Sequence, residues 1–410
     1  MKKIIFINFP VSGHVNPQIN LCKELSKKEV KLIYYTFERY FPKFKDIENI
    51  ELRKYPDSFY DYYNELAADS GLHDKFLAFF YVFYTLTEKV LPFIMEEVRN
   101  ERPDLIICDT LAIWGKIAAR VNKIPMAFFF SSFIGDSVAL KNSPAFAMSL
   151  IKSAILHFPY YFKFSAIKKR IEKRYGKVAD GPQDIMNHKG KFSIVTTSRE
   201  FQPGGDLYPK NVRFIGPAHV EDSDLPDKKD TIFISLGTIA FSDTYWDICI
   251  EAAKDLGYNV VVSFGGNKNN KVNSKNLVDN VKVYENLNLQ EYRDVLKKSV
   301  LFISHGGFNS ISDSILYMTP LIICPLSAEQ YSNGKIIEER DCGIVYPDKK
   351  LEVNKLREKI IEVINNEKSK VGLQKYRQSF LNSMGYKRAV EDLNEEFELY
   401  YEENTDIGFK

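Results

Sequence analysis

With 410 residues, 45% of them hydrophobic and 27% charged, and with no low-complexity tract, the chain has the composition of a globular protein of two or three domains. A formal net charge of +2 leaves no global electrostatic footprint for nucleic acid. The five scattered cysteines (Cys22, Cys108, Cys249, Cys324, Cys342) form no C-x-x-C pair, which argues against a zinc site or disulfide frame and fits buried thiols in a reducing compartment.

Short apolar runs alternate with helical-period segments throughout, which predicts an α/β architecture on parallel sheets. The N-terminal apolar run is too short for a signal peptide, and no stretch reads as the roughly 18–20 apolar residues of a membrane span. A soluble, cytoplasmic protein is the expectation. In the first half the expected strands are Ile4–Phe9, Lys31–Thr36, Leu105–Cys108, Pro125–Phe130, Phe192–Thr197 and Val212–Ile215. The first leads into Pro10-Val11-Ser12-Gly13-His14-Val15-Asn16-Pro17. Asn16 suits an N-cap and Pro17 the first helical position, so the helix is expected to begin there, with His14 on the preceding loop.

A histidine at the carboxyl end of a strand stands where open sheets contact ligands, and it can take up a proton near neutral pH. On position alone, a loop histidine is more often a surface residue or a helix-capping neighbour than a catalyst. Asp109, after Ile106-Ile107-Cys108, lies at a second strand end, where it can orient an imidazole or cap the following helix. Neither G-x-G-x-x-G nor a Walker loop is present, which argues against a dehydrogenase and an NTPase.

Between Phe59 and Phe93 the chain is dense in aromatics: Phe59, Tyr60, Tyr62, Tyr63, Phe76, Phe79, Phe80, Tyr81, Phe83 and Tyr84. Further bands run from Phe128 to Phe133 and from Phe158 to Phe164. At helical spacing most should be core, although the density also suits a wide apolar pocket. The basic run from Lys168 to Arg174 reads first as a solvated helix face and second as a membrane contact. Residues 216–230, polar with two prolines, read as a linker between an N-terminal domain of residues 1–215 and a second domain of residues 231–375. A helical, acidic tail of residues 376–410 follows. The second half repeats the pattern with Ile232–Leu236, Asn259–Phe264, Val281–Tyr284, Leu301–Ser304, Leu321–Cys324 and Ile344–Tyr346.

The most informative stretch runs from Phe302 to Asp313: an apolar strand, the turn His305-Gly306-Gly307, and a helix start. Such a junction aims free backbone N–H groups and a positive helix end at whatever lies above it, which is a recipe for an anion site. Gly306 and Gly307 would let an oxygen-rich ligand approach the backbone. Asn309 and Asp313 share a helix face, offering amide donors near a phosphate and a carboxylate suited to a ribose diol. Tight turns need glycine in many α/β domains, so the junction alone does not decide between ligand binding and simple turn chemistry.

Together, Ser12-Gly13-His14-Val15-Asn16-Pro17, Asp109, Ser235-Leu236-Gly237-Thr238, the His305–Asp313 element and Glu329-Gln330 resemble the UDP-dependent family-one glycosyltransferases. The likeness is greatest to the bacterial macrolide and polyphenol enzymes. It implies the GT-B fold, two facing Rossmann-like domains with an inter-domain cleft, and inverting sugar transfer without a metal or other cofactor. His14 would be the general base and Asp109 its orienting partner. His305, Gly306, Gly307, Asn309 and Ser310 would bind the diphosphate, Gly237 and Thr238 would sit near it, Asp313 would hold the ribose, and Glu329 with Gln330 the sugar. The implied partners are a UDP-sugar donor, with glucose first, and a small hydrophobic acceptor. No nucleic acid is expected, nor a membrane, and the protein should be a monomer or weak dimer. The group usually has Glu at the position of Asp313, and often Trp-x-Pro-Gln where Glu285 to Gln290 stand here. Uridine stacking therefore stays open at this point, as do a glycolipid acceptor and a non-catalytic nucleotide-sugar binder. A sugar-nucleotide epimerase would share the fold class.

Overall fold

The computed structural model describes residues 1–68, 76–181, 187, 190–220, 224–237, 243–266, 270–346 and 351–401. Seven strands form the first sheet: β1 (Lys2–Ile7), β2 (Val30–Thr36), β3 (Ile50–Lys54), β4 (Leu105–Asp109), β5 (Met126–Phe130), β6 (Phe192–Val195) and β7 (Val212–Phe214). They lie in the order β3-β2-β1-β4-β5-β6-β7, every pair parallel. Six more form the second: β8 (Thr231–Ser235), β9 (Asn259–Ser263), β10 (Val281–Tyr284), β11 (Ser299–Ser304), β12 (Leu321–Ile323) and β13 (Gly343–Val345). Their order is β10-β9-β8-β11-β12-β13, again all parallel.

Central strands such as β4 and β8 are buried along their whole length, which is why they read as continuous apolar runs. The edge strand β3 escaped the sequence reading. Its Ile-Glu-Leu-Arg-Lys alternation is half-exposed, so it carries no such run.

Each sheet reverses its strand order once, between β1 and β4 in the first and between β8 and β11 in the second. Open α/β sheets bind ligands beyond the carboxyl ends of strands at such switch points. His14 follows β1 and Asp109 ends β4, while Gly237 follows β8 and His305 follows β11. All four chemistry-bearing segments are therefore placed by topology alone.

The first helix runs from Ser12 to Ser26, with Val11 at its N-cap and Pro17 inside it. The expected start at Asn16-Pro17 is thus corrected: His14 stands in the first turn of a helix, not on a loop. Pro17 is tolerated because the carbonyl it leaves without an intrahelical donor is that of Gly13, which finds a partner elsewhere.

The Phe76–Glu101 helix corrects the reading of the chain as lacking any span-like segment. Its part from Leu77 to Glu101 is long and apolar enough to cross a membrane, but more than half of the most apolar window is buried. Tyr84, Leu86, Leu91 and Ile94 pack into the N-terminal core, as an internal helix requires. Phe59, Phe80 and Phe83 are buried there too, and Tyr62, Tyr63, Phe79 and Tyr81 pack against that core half-buried, while Tyr60 is exposed. All five cysteines are free and buried.

The chain crosses between domains more than once. Helix Gly385–Phe397 returns to the first domain, where Ala389, Val390 and Leu393 join its core and Arg213 pairs with Asp392 at 2.7 Å. A separate core is shared: Phe133 and Phe201 of the first half pack with Phe308, Tyr376 and Phe380 of the second. Of the linker, residues 221–223 lie outside the described residues, as do residues 402–410 of the tail. Lys229 anchors the linker by donating to the carbonyls of Tyr317 and Met318 at 2.5 and 2.9 Å.

Candidate active site

On the first-domain wall, Nδ1 of His14 faces Oδ2 of Asp109 at 2.7 Å. Asp109 is fully buried, and both of its oxygens are hydrogen-bonded within the chain. Oδ1 accepts from the Leu111 backbone N–H at 2.9 Å, and Oδ2 also accepts from Nε2 of Gln18 at 3.3 Å. A carboxylate so held keeps Nδ1 of His14 as the N–H donor and leaves Nε2 as the free basic nitrogen.

Behind the pair runs a buried polar relay. The Tyr34 hydroxyl donates to Oε1 of Gln18 at 2.8 Å and accepts from Nδ2 of Asn8 at 2.7 Å. Tyr55 donates to the Asn8 carbonyl at 2.8 Å and accepts from the Trp114 indole at 3.2 Å. Phe9 covers His14 edge-on, with ring centroids 5.6 Å apart. Burial disfavours the imidazolium, but the charge and hydrogen bond of Asp109, with the charge of Glu329 across the cleft, outweigh it. The His14 pKa lies above the ordinary histidine value as a result.

The facing wall is the start of helix Phe308–Leu316. Its N-cap, Gly307, provides no side-chain cap, so the first-turn N–H groups are left for a ligand. The glycines have a structural reason of their own. A Cβ on Gly307 would lie 2.6 Å from Nε2 of His305, and one on Gly237 would lie 2.8 Å from its Cε1. The His305 ring is therefore wedged between two glycines. Gly306 has φ +88, and a Cβ there would meet Ile323 at 2.7 Å. Room for the protein's own side chains, rather than room for a ligand, is what these glycines supply. Nδ1 of His305 is buried without a hydrogen-bond partner, and burial holds the pKa down at about 4 despite help from the Ser235 backbone. His305 is thus a neutral imidazole near pH 7.

Asn309 is committed across the cleft: its Nδ2 donates to the Gly13 carbonyl at 3.0 Å. That acceptor is the carbonyl freed by Pro17, so one sequence feature of the first helix prepares a contact with the second domain beside His14. Asp313 is buried, and desolvation raises its pKa to about 7 although Arg293 pulls it down. Gln330 is buried, and its Oε1 accepts from the N–H groups of Leu326 and Ser327 in a capping box with Ser327. Glu329, exposed in the first turn of the same helix, feels the His14 charge; the surrounding protein raises its pKa and His14 lowers it. Ser310 is half-buried next to Asn309, and Thr238 lies outside the described residues.

Beside the Asn309 contact, and lined by neither His14 nor His305, lies a pocket with about 410 Å³ of empty space, open to solvent. Asn16 and Pro17 line it from the first domain, Ala218 from the linker, and Leu289, Asn309 and Asp313 from the second domain. Sequence reasoning missed Gln18, Tyr34 and Asn8, although Gln18 lies four residues after His14 on one helix face. It also missed the clasp between Asn309 and Gly13.

Residues 239–393 match the family described as the glycosyltransferase family 28 C-terminal domain. The uncharacterised UDP-glucosyltransferase YojK of Bacillus subtilis (strain 168) is 29% identical over 406 residues, spanning 96% of this chain and 97% of that protein. The NDP-glycosyltransferase YjiC of the same organism is 26% identical over 413 residues, spanning 96% and 97%. The crystal structure of CalG4, the calicheamicin glycosyltransferase, superposes with a TM-score of 0.75 at 19% identity, covering 97% of this chain and 98% of that one, a likeness of fold. Two all-parallel α/β domains closing on a switch-point cleft, with these relatives, make the chain a glycosyltransferase of GT-B fold. Over 96% of its length it is similar to these bacterial UDP-glucosyl- and NDP-glycosyltransferases.

Proposed function

We propose that the protein is an inverting, metal-independent O-glycosyltransferase moving a hexose, glucose first, from a UDP-sugar to a hydroxyl of a small hydrophobic acceptor such as a polyphenol or macrolide. One observation carries the reading: the 2.7 Å His14–Asp109 pair on one wall faces an uncapped helix N-terminus on the other. In this mechanism the acceptor hydroxyl gives its proton to Nε2 of His14 as its oxygen attacks the anomeric carbon. The bond from that carbon to the diphosphate oxygen breaks in the same step. Attack from the face opposite the leaving group inverts the configuration. Asp109 stabilises the imidazolium, and the first-turn amides with neutral His305 as donor meet the charge growing on the diphosphate.

The remaining roles follow the resemblance, adjusted to the geometry. Gly306, Gly307, Asn309 and Ser310 hold the diphosphate, with Gly237 and Thr238 close to it. Asp313 takes the ribose and Glu329 the sugar hydroxyls. Gln330 contributes through its amide nitrogen, because its carbonyl is held by the capping box. Leu289, which faces the pocket, gives the base an apolar platform in place of an aromatic one. Without a ring to stack on, discrimination between uridine and thymidine diphosphosugars is weak. The protein works in the cytoplasm as a monomer or weak dimer.

A non-catalytic nucleotide-sugar binder would have no use for the buried carboxylate that orients His14. A lipid hydroxyl as acceptor is a second reading, favoured by the exposed apolar residues of helices Pro144–Leu156 and Pro159–Tyr175. The deciding experiment measures UDP release from UDP-glucose with and without a panel of phenols, macrolides and sterols, with product mass and anomeric configuration recorded. Acceptor-dependent release with one added hexose and an inverted anomer is expected. UDP release that never depends on an acceptor, or a product of retained configuration, would overturn the reading.

A further inference from the structure

Helices Pro144–Leu156 and Pro159–Tyr175, joined by a short turn, carry an apolar surface that the fold does not need. Met148, Ile151, Ile155, Phe158, Tyr161 and Phe162 are between 45% and 71% exposed. On the first helix Met148, Ile151 and Ile155 follow at intervals of three and four, so they form one face. A different part of that helix does the packing: Phe146 sits in the core shared by both domains, and the helix lies along Ala328–Glu339. Its start is fixed by Glu339, which accepts from the Ser143 hydroxyl at 2.6 Å and the Ala145 N–H at 3.3 Å. The second helix buries Phe164, Ile167 and Ile171 against Phe76–Glu101. Tyr161 and Phe162 are left outside, where Phe158 stacks on the first at 5.8 Å and meets the second edge-on at 5.5 Å.

Charge continues the pattern. Between Pro159 and Tyr175 stand six Lys or Arg residues and one acid, Glu172, which is paired to Lys168. Phe162, Ala166, Lys169 and Lys173 recur at helical intervals on one exposed face. The ridge is therefore apolar at its tip and cationic further along the same face. An apolar protein partner would match the tip but not the cations, and a nucleic acid the reverse. Aromatic and aliphatic side chains inserted at the acyl boundary, with lysines above them at the headgroups, satisfy both halves at once.

We propose that this helical hairpin docks on an anionic lipid bilayer. The sequence alone favoured a solvated face for the basic run, because half of the apolar tip, Met148, Ile151 and Ile155, lies on the preceding helix and only the turn between the helices brings it beside Tyr161 and Phe162. The proposal does not rest on the transfer reaction, and its test needs no turnover.

The test is co-sedimentation of the full chain with vesicles of phosphatidylcholine alone or with an equal part of phosphatidylglycerol. Three proteins are compared: the wild type, Lys169→Glu with Lys173→Glu, and Ile151→Ser with Ile155→Ser and Phe162→Ser. UDP affinity and circular dichroism verify that each is folded. Wild type should bind the anionic vesicles and lose at least about tenfold in affinity on neutral vesicles or in high salt. Each variant should lose at least about tenfold on the anionic vesicles with UDP affinity retained. Equal binding to both vesicle types, no binding, or binding unmoved by the variants would overturn the proposal. So would light scattering that finds a dimer broken by the serine variant, which assigns the ridge to a second copy. A serine variant with unchanged vesicle binding and a raised KM for a water-soluble acceptor would assign the ridge to the acceptor mouth instead.

Discussion

At His14, burial and charge pull in opposite directions, and the sum can be read in a pH profile. A base must be unprotonated to act, so kcat/KM rises with pH through the His14 pKa, on a limb placed above the ordinary value of 6.5. Asp109→Asn removes the charge and leaves the burial, so the limb should move to lower pH while turnover falls; an unmoved limb would contradict the pairing. His14→Ala should lower transfer by about 100-fold to 10,000-fold and leave UDP affinity nearly unchanged, since His14 stands in the opposite domain from the proposed phosphate cradle. Asp313 offers a test in both stability and binding. Its folded pKa of about 7 lies above the ordinary aspartate value of 3.8, so the folded state holds its proton longer than the unfolded chain does. The destabilisation is absent below pH 4, grows between pH 4 and 7, and is complete above that range. Asp313→Asn should therefore stabilise the fold by up to about 4 kcal/mol at pH 8 and by little at pH 4, in thermal melts. The same variant should bind UDP more weakly at pH 8, and equal affinity would remove Asp313 from the ribose site.

At the scale of elements, two helix starts determine the cleft. The Phe308–Leu316 helix begins uncapped, and its glycines make room for the His305 ring. Gly307 has an ordinary φ of −64, so Gly307→Ala strains no backbone and acts only through the 2.6 Å approach to the ring. Because Gly237 blocks the ring's other side, the ring must tilt out, and UDP affinity should drop at least about tenfold with the fold intact. Isothermal titration of a variant with unaltered circular dichroism decides this. The Ser12–Ser26 helix contributes the Gly13 carbonyl through the missing N–H of Pro17. Pro17→Ala restores a donor that competes with Asn309 for that carbonyl. It should lower kcat by about threefold to tenfold, with a smaller effect on donor affinity. A kcat equal to wild type would show that the clasp does not help position the base.

For the whole molecule, the last helix is the element that the order of the chain hides. Leu393 is fully buried in the core of the first domain although it lies beyond the whole second domain in sequence. Leu393→Ala should destabilise the protein by about 3 kcal/mol, seen as a shifted denaturant midpoint. The loss should register equally by probes in both domains, because Phe201 packs on Tyr376 and Phe380 in a shared core. Two separate transitions, with only the first domain affected, would show that the shared core does not couple them.

Twelve of the thirteen strands among the described residues, the two parallel sheets and the residues at their switch points were legible in the sequence, because apolar runs between turn residues record which segments are buried on both faces. His14, Asp109 and His305 were legible for the same reason, as polar residues at the ends of such runs. The sequence did not place Asn309 against Gly13, Gln18 and Tyr34 behind Asp109, Glu329 opposite His14, or the last helix on the first domain. Those pairings join residues far apart in the chain or on different elements, and periodicity carries no information about which faces meet. Local composition thus determined the strands, the sheets and the candidate chemistry of this protein. Only the tertiary structure decided which of those groups share an electrostatic environment, because a pKa, a hydrogen bond and a wedged imidazole depend on distances of a few ångströms between segments that the chain brings together last.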